Sequence, residues 1–280
     1  MLCPFNRLMR DALQDKRAVG AFNAGNMEMV IGIVKAAEES QVPIILQIAE
    51  KRLTHSPLEL VAPMLLQAAM RAKVEIAVEL DHGSSQYNIE RSMNFGFNTV
   101  MFDGSEMPIA ENIKKTKAIV DNAHQRGVAV EAEIGVVGGS EGGADLQANC
   151  ADISEIIALG SQSGCDALAV AIGNAHGHYH GIPKLNFDLL QKAHDALPDL
   201  PLVLHGGSGI APCDFRKAIS MGISKINIAT ANFDAIALGA LHYSQGLSEA
   251  DVNYFKLNEA VIEEVYKTTM AHIAIFNNRD

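Results

Sequence analysis

Eight short apolar runs rich in β-branched residues recur along the chain, each followed by a longer segment with helical spacing. This alternation marks βα units, whose strands lie parallel because each helix returns the chain to the same end of the sheet. The runs fall at 18–24, 43–49, 74–82, 98–104, 128–135, 166–173, 201–207 and 225–230. They are nearly continuous hydrophobic strings, as strands covered on both faces should be. Eight such units within 280 residues predict an α/β fold, a (β/α)8 TIM barrel in a single domain spanning 1–280.

Helical spacing is read over 27–40, 57–73, 109–125 and 187–196, and a short helix over 5–14 would cover the barrel floor. Residues 136–151 (VVGGSEGGADLQANCA) are glycine-rich and longer than an ordinary βα loop, which predicts a lid. Beyond the eighth run, 233–276 carries two or three further helical segments with no turn-rich linker before them. They read as a C-terminal helical extension of the same domain, suited to contacts in a homodimer or homotetramer.

Charge and cysteine usage narrow the function. With 22 Lys+Arg against 33 Asp+Glu, a net charge of −11 and no basic run, nucleic acid is not an expected partner. No apolar stretch reaches the roughly 20 residues of a bilayer span, so no membrane association is expected. Cys3, Cys150, Cys165 and Cys213 are scattered without a C-x-x-C pair or a cleavable signal, which reads as reduced thiols in the cytoplasm.

Barrel enzymes place their chemistry where strands end at the C-terminal face. Here nearly every run ends in a polar residue: Asn23, Gln47, Asp81 with His82, Asp103, Glu133, Asn174 with His176, His205, and Asn227 with Thr230. One isolated histidine is more often a hydrogen-bonded core residue than a ligand. Seven or eight polar strand ends converging on one rim are not explained that way. No short-range spacing relates His82, His176 and His205, so a metal reading depends on the fold bringing them together. Three neutral imidazoles suit Zn2+ with an open position. His178 and His180 share a loop with His176 and stand as second choices. The glycine-rich segments Asn174–Gly177 and His205–Ile210, with the ending Asn227–Thr230, have the makings of a backbone phosphate cradle. They also fit tight βα connections alone.

Taken together, these residues resemble the class II fructose-bisphosphate and tagatose-bisphosphate aldolase family. The resemblance rests on Leu80-Asp-His-Gly-Ser84, Phe102-Asp-Gly-Ser105 leading to Glu111-Asn112, and Val130-Glu-Ala-Glu-Ile-Gly135. It continues through Ala171-Ile-Gly-Asn-Ala-His-Gly177, His205-Gly-Gly-Ser-Gly209 and Asn227-Ile-Ala-Thr230, the last leaning toward the tagatose-type branch. It implies a lyase that cleaves a sugar phosphate reversibly to dihydroxyacetone phosphate and an aldehyde. His82, His176 and His205 would hold catalytic zinc, with Asp103 and Glu133 as alternative or outer ligands. Asp81 would exchange a proton with the C4 hydroxyl, and Glu141 would handle the proton at C3. Asn23, Gly177, Gly206, Gly207, Ser208, Asn227, Ala229 and Thr230 would surround the substrate and its C1 phosphate, and the family pattern also admits a monovalent cation, Na+ or K+, nearby.

Three positions depart from that pattern. Ala49 stands where the family usually has Ser, His180 where it has Lys, and Asn258 where a phosphate-binding Arg is common. These departures point away from a second phosphate at the aldehyde end. Competing readings are less well served by the sequence. A zinc barrel hydrolase would show a His-x-His pair on the first strand, where Phe22-Asn-Ala stands, and a covalent aldolase would place a Lys at a strand's C-terminal end. The alternative from another class is a non-catalytic metal- and phosphate-binding barrel serving as an accessory subunit or regulator.

Overall fold

The computed structural model describes residues 1–138, 150–179 and 183–278, and shows eight parallel strands closed into a barrel. The strands are β1 (Val19–Asn23), β2 (Ile44–Ala49), β3 (Ile76–Gly83), β4 (Thr99–Phe102), β5 (Ala129–Ile134), β6 (Ala167–Val170), β7 (Leu202–Leu204) and β8 (Ile223–Ile228). Each lies within or beside one of the eight apolar runs. Closure comes from pairing β1 with β8, in register from Val19 opposite Lys225 to Phe22 opposite Ile228. Every strand residue is buried, as the hydrophobic strings require.

The helices α1 (Phe5–Gln14), α2 (Met27–Ser40), α3 (Leu58–Arg71), α4 (Gln86–Phe95), α5 (Ile109–His124), α6 (Ile153–Gln162), α7 (Phe187–Ala196) and α8 (Pro212–Ser220) accompany the strands. Their starts follow from local chemistry. Asn26, Ser85, Asp152 and Asn186 each accept a hydrogen bond from a backbone N–H in the first turn of α2, α4, α6 and α7. The C-terminal extension is α9 (Thr230–Ser244), a 3-10 turn (Glu249–Asp251) and α10 (Tyr254–Phe276), with α10 packed on α2 and α9.

The core has two parts. Apolar strand faces pack outward against the helices, while Val19, Ala21, Ile45, Ala77, Ala129, Ala167, Ala169 and Val203 line the barrel's inside with Phe5, Leu8 and Met9 of α1. The floor-covering role expected of residues 5–14 is thus what α1 performs. Many interior residues are alanines, which leaves room above them for long polar side chains.

The end of α10 closes the packing near the start of β1. Phe276 is fully buried, its ring centroid lies 5.2 Å from that of Phe215, and its carbonyl accepts from the Ala18 N–H at 3.0 Å. Phe276→Ala is therefore expected to cost about 3–5 kcal/mol, read as a lowered denaturant midpoint with an unchanged slope.

Candidate active site

Alternation along a strand should send neighbours Asp81 and His82 to opposite sides of the sheet. The chain breaks that rule at the end of β3. The register against β4 shifts between Leu80 and Gly83, and His82 takes a positive φ of 48°, so both side chains reach the same rim. Gly83 permits the close approach, since a Cβ there would lie 2.5 Å from the Met101 carbonyl oxygen. His205 follows β7 directly, and His176 follows β6 in a turn whose Gly173 and Gly177 have φ of 95° and 91°.

These three histidines, far apart in sequence, meet. Ring centroids lie 4.7 Å apart for His82–His176, 4.7 Å for His82–His205 and 5.7 Å for His176–His205. Ligand atoms of the trio lie within 4.8 Å of one another, and so do those of His82, Asp103 and Glu133. Either set could hold a metal ion.

Hydrogen-bond partners assign the tautomers. His82 Nδ1 lies 2.9 Å from Asp103 Oδ2, and His205 Nε2 lies 2.8 Å from Glu131 Oε1. Carboxylate oxygens accept, so those two ring nitrogens carry hydrogen. Asn227 Nδ2 also lies 3.2 Å from His205 Nε2, but with that nitrogen's hydrogen directed at Glu131 it has no lone pair to accept, and the amide donates to Asp81 Oδ1 at 3.0 Å. The remaining nitrogens, His82 Nε2 and His205 Nδ1, face each other at 2.9 Å, so with both rings neutral their lone pairs would point at one another. Such a contact calls for a cation. His176 Nε2 and Glu133 Oε2 are also buried without a hydrogen-bond partner. This donor set of three imidazoles and a carboxylate fits a divalent ion such as zinc.

The electrostatics agree. Burial works against a charged His82, yet Asp81, Glu133 and Asp103 outweigh it and raise its pKa to about 10. A proton is drawn in where a metal cation would answer the same surplus of negative charge. Burial, reinforced by His82, holds His176 and His205 well below the usual histidine range. Burial pushes Glu133 well up, with Asp103 adding to it. Asp103 is held well below the carboxylate range against its burial by the His82 hydrogen bond and charge and by Ser105.

Beside the histidines, Asp81 is pinned at both oxygens. Asn23 Nδ2 donates to Oδ2 at 3.0 Å, and Asn227 Nδ2 donates to Oδ1 at 3.0 Å. Asn23 Oδ1 in turn accepts from the Ala49 N–H at 2.9 Å. A small cavity touches Asn23, Asp81, His176, Gly177, Gly206, Ser208, Asn227, Ala229 and Thr230, almost the whole substrate set expected from the sequence. Gly207 does not line it, and its N–H donates to the Asn227 carbonyl at 3.2 Å. Ser208 Oγ accepts from the Ala231 N–H at 3.0 Å, in the first turn of α9. Tyr179, unnoticed in the sequence, clasps the two glycine turns: its hydroxyl accepts from the Ala175 N–H at 2.9 Å and donates to the Gly206 carbonyl at 2.8 Å.

Sequence reasoning also missed a polar layer beneath the histidines. Glu79, Glu131 and Lys225 are fully buried inside the barrel, and Lys225 Nζ lies 2.8 Å from both Glu79 Oε2 and Glu131 Oε2. Burial opposes the ammonium, but Glu131 and Glu79 outweigh it and raise the Lys225 pKa. A signal existed in strand parity, since Glu131 and Glu133 are two apart on β5 and must face the same side. His178 is not part of the histidine cluster; it is exposed, 3.4 Å from Asp234. Glu141, His180 and the middle of the expected lid, 139–149, lie outside the described residues. On the other side of His82 and Asp103 opens a cleft of about 680 Å3, lined also by Glu50, Lys51, Thr54, Ser84, Ser105 and Glu106.

A closed parallel barrel with a histidine cluster and glycine turns on its C-terminal rim has the layout of a barrel enzyme. The family described as class-II fructose-bisphosphate aldolase matches residues 4–280. The chain is 40% identical over 238 residues to a fructose-bisphosphate aldolase of Geobacillus stearothermophilus, covering 82% of each. It is 39% identical over 226 residues to the 6-phospho-5-dehydro-2-deoxy-D-gluconate aldolase of Bacillus subtilis, covering 80% of this chain and 78% of that one. The crystal structure of the YdjI aldolase from Escherichia coli K12 superposes with a TM-score of 0.87 at 33% identity, covering 99% of this chain and 97% of the other. The chain belongs to the class-II fructose-bisphosphate aldolase family. As an aldolase it is an enzyme of the lyase class.

The two glycine turns meet so closely that a side chain at Gly206 has nowhere to go. Its φ is 60°, and a Cβ would lie 2.1 Å from the Ala175 carbonyl oxygen. Gly206→Ala is expected to destabilise the protein by more than about 1 kcal/mol, measured by chemical denaturation, and to displace Tyr179 from its clasp in a crystal structure of the variant.

Proposed function

We propose that the protein is a zinc-dependent aldolase that reversibly cleaves a ketose phosphate, a 1-phosphate or 1,6-bisphosphate, to dihydroxyacetone phosphate and an aldehyde. The observation that carries this reading is the meeting of three unsatisfied or facing imidazole nitrogens beside an aspartate held at both oxygens. His82, His176 and His205 would hold the zinc, with Glu133 and Asp103 beside them. Bound there, zinc supplies Lewis-acid stabilisation of the negative charge left when the carbon–carbon bond breaks.

The chain's own residues do the rest. Asp81 takes the proton from the C4 hydroxyl as the C3–C4 bond breaks, releasing the aldehyde and leaving the electron pair on the three-carbon fragment. Asn23 and Asn227 fix the direction of that carboxylate, so no reorientation is needed at the moment of transfer. Glu141 is assigned the return of a proton to C3. Gly177, Gly206, Ser208, Asn227, Ala229 and Thr230 are assigned to the phosphate end, where the N-terminus of α9 adds its dipole, with Na+ or K+ as a further cation there. The firm placement of Asp81 favours turnover over a binding-only accessory barrel.

The cleft beyond His82 supports a narrower proposal about the aldehyde. It presents Glu50, Asp103 and Glu106 against Lys51, a poor setting for a second phosphate. Glu50 already accepts from the Ser84 and Ser85 N–H groups at 2.6 and 3.1 Å and from Asn88. The proposed product is therefore an unphosphorylated, hydroxylated aldehyde. None of the three relatives named above carries a tagatose name.

The proposed setting is the cytoplasm. The four cysteines are free, and among the described residues no helix is long and apolar enough to cross a membrane. A homodimer or homotetramer is supported by Leu238, Leu241, Val252, Tyr254 and Phe255, which leave large apolar side chains in solvent at the C-terminal helices.

Two experiments test the function. In a coupled assay of dihydroxyacetone phosphate release, a chelator should abolish activity and zinc should restore it, and Asp81→Asn should lower kcat by about 10^2- to 10^4-fold. Turnover indifferent to the chelator would sink the zinc reading. Across a substrate panel, kcat/KM should be higher for a ketose 1-phosphate than for hexose 1,6-bisphosphates; the reverse order would reject the proposed aldehyde.

A further inference from the structure

The polar layer inside the barrel is larger than the chemistry just described requires. A buried Lys–Glu pair loses so much hydration that apolar residues of similar volume often serve stability equally well. If Lys225, Glu79 and Glu131 were a self-contained structural ion pair, both glutamates would spend their oxygens on the lysine. Glu131 does not. Its Oε2 meets Lys225 Nζ at 2.8 Å, while its Oε1 takes the hydrogen of His205 Nε2 at 2.8 Å.

That division has a consequence for the histidine. A neutral ring that donates from Nε2 presents a lone pair at Nδ1, and Nδ1 of His205 is the atom that faces His82 Nε2 at 2.9 Å. Asp103 performs the matching service for His82 through Nδ1. Lys225 anchors Glu131 from below, and Glu79 anchors Lys225 from β3, so the ring plane of His205 is tied to β3, β5 and β8 together.

We propose that Glu131, braced by Lys225, is a positioning residue that fixes the tautomer and ring orientation of His205 and thereby sets the zinc affinity of the site. Glu131 acts through His205, without contact to the ion or the substrate. The proposal rests on the zinc reading of the histidine cluster. Partners of this kind commonly change metal affinity by about 10- to 100-fold when removed.

The test measures zinc dissociation constants by competition with a chromophoric chelator, together with the melting temperature of each metal-free protein. Glu131→Leu is expected to bind zinc about 10- to 100-fold more weakly than the wild type, and Lys225→Met more weakly in the same direction. Glu131→Gln, which keeps an oxygen to accept from Nε2–H, should retain more affinity than Glu131→Leu. Phe276→Ala, destabilised at the opposite end of the barrel, should keep the wild-type dissociation constant despite its lower melting temperature. Wild-type affinity within twofold in both Glu131→Leu and Lys225→Met overturns the proposal. So does an equal loss in Phe276→Ala, which would mark a general stability effect. Should Glu131→Leu fail to fold, a crystal structure of the zinc-loaded wild type decides. The ion on His205 Nδ1 with Glu131 on Nε2 upholds the proposal, and the ion on Nε2 overturns it. A wild type that binds no zinc would instead remove the functional reading on which it stands.

Discussion

Pairing of β1 with β8 is the constraint on which the rest of this molecule depends. Closure gives every strand a neighbour on both sides and gathers eight strand ends onto one rim. Residues 82, 176 and 205 belong to three different βα units, and only the closed sheet brings their rings within 5.7 Å of one another. The alanines inside the barrel matter as much as the hydrogen bonds. Ala77, Ala129, Ala167 and Ala169 occupy little of the interior, so Glu79, Glu131 and Lys225 can extend across it.

Charge is then packed where a larger apolar core could have been. Carboxylates and imidazoles at zero or near-zero exposure lose their hydration and must recover it from one another. Below the rim the recovery is complete enough to keep Lys225 charged. At the rim it is not: two imidazole nitrogens face each other, and His176 and Glu133 each keep a buried atom without a partner. An incompletely paired polar cluster is costly as architecture and useful as a receptor for a cation. The chain also accepts a positive φ at His82 and tight glycine turns after β6 and β7, all on this same face. Local strain and unmet polarity thus concentrate on the rim where the three histidines meet.

Much of this was legible beforehand. The eight apolar runs coincide with the eight strands, because a parallel strand buried on both faces leaves an uninterrupted hydrophobic string. Polar residues at run ends marked Asp81, His82, Asp103, His176 and His205, since the covering helices leave only that rim open to a ligand. Asp81 and His82 reach the same side only through the register shift beside β4, and no alternation rule in the sequence announces a bulge. Glu131 stands inside a motif and Lys225 at the start of its run, the wrong end for a rim residue, so neither by itself announced a polar layer. Strand parity linked Glu131 to Glu133, but the distances to Lys225 and His205 span 94 and 74 residues of chain. His178 and Gly207 show the opposite limit: membership in the right loop does not decide which way a side chain or an N–H points.

The amino-acid sequence by itself determined the element order, the parallel barrel and the residues available at its rim, because hydrophobic periodicity and turn chemistry act over short stretches of chain. Only the tertiary structure decided which of those residues meet, which ring nitrogens of His82 and His205 face carboxylates and which backbone groups are already spent. Those outcomes depend on distances of about 3 Å between segments far apart in sequence, and no local pattern encodes them.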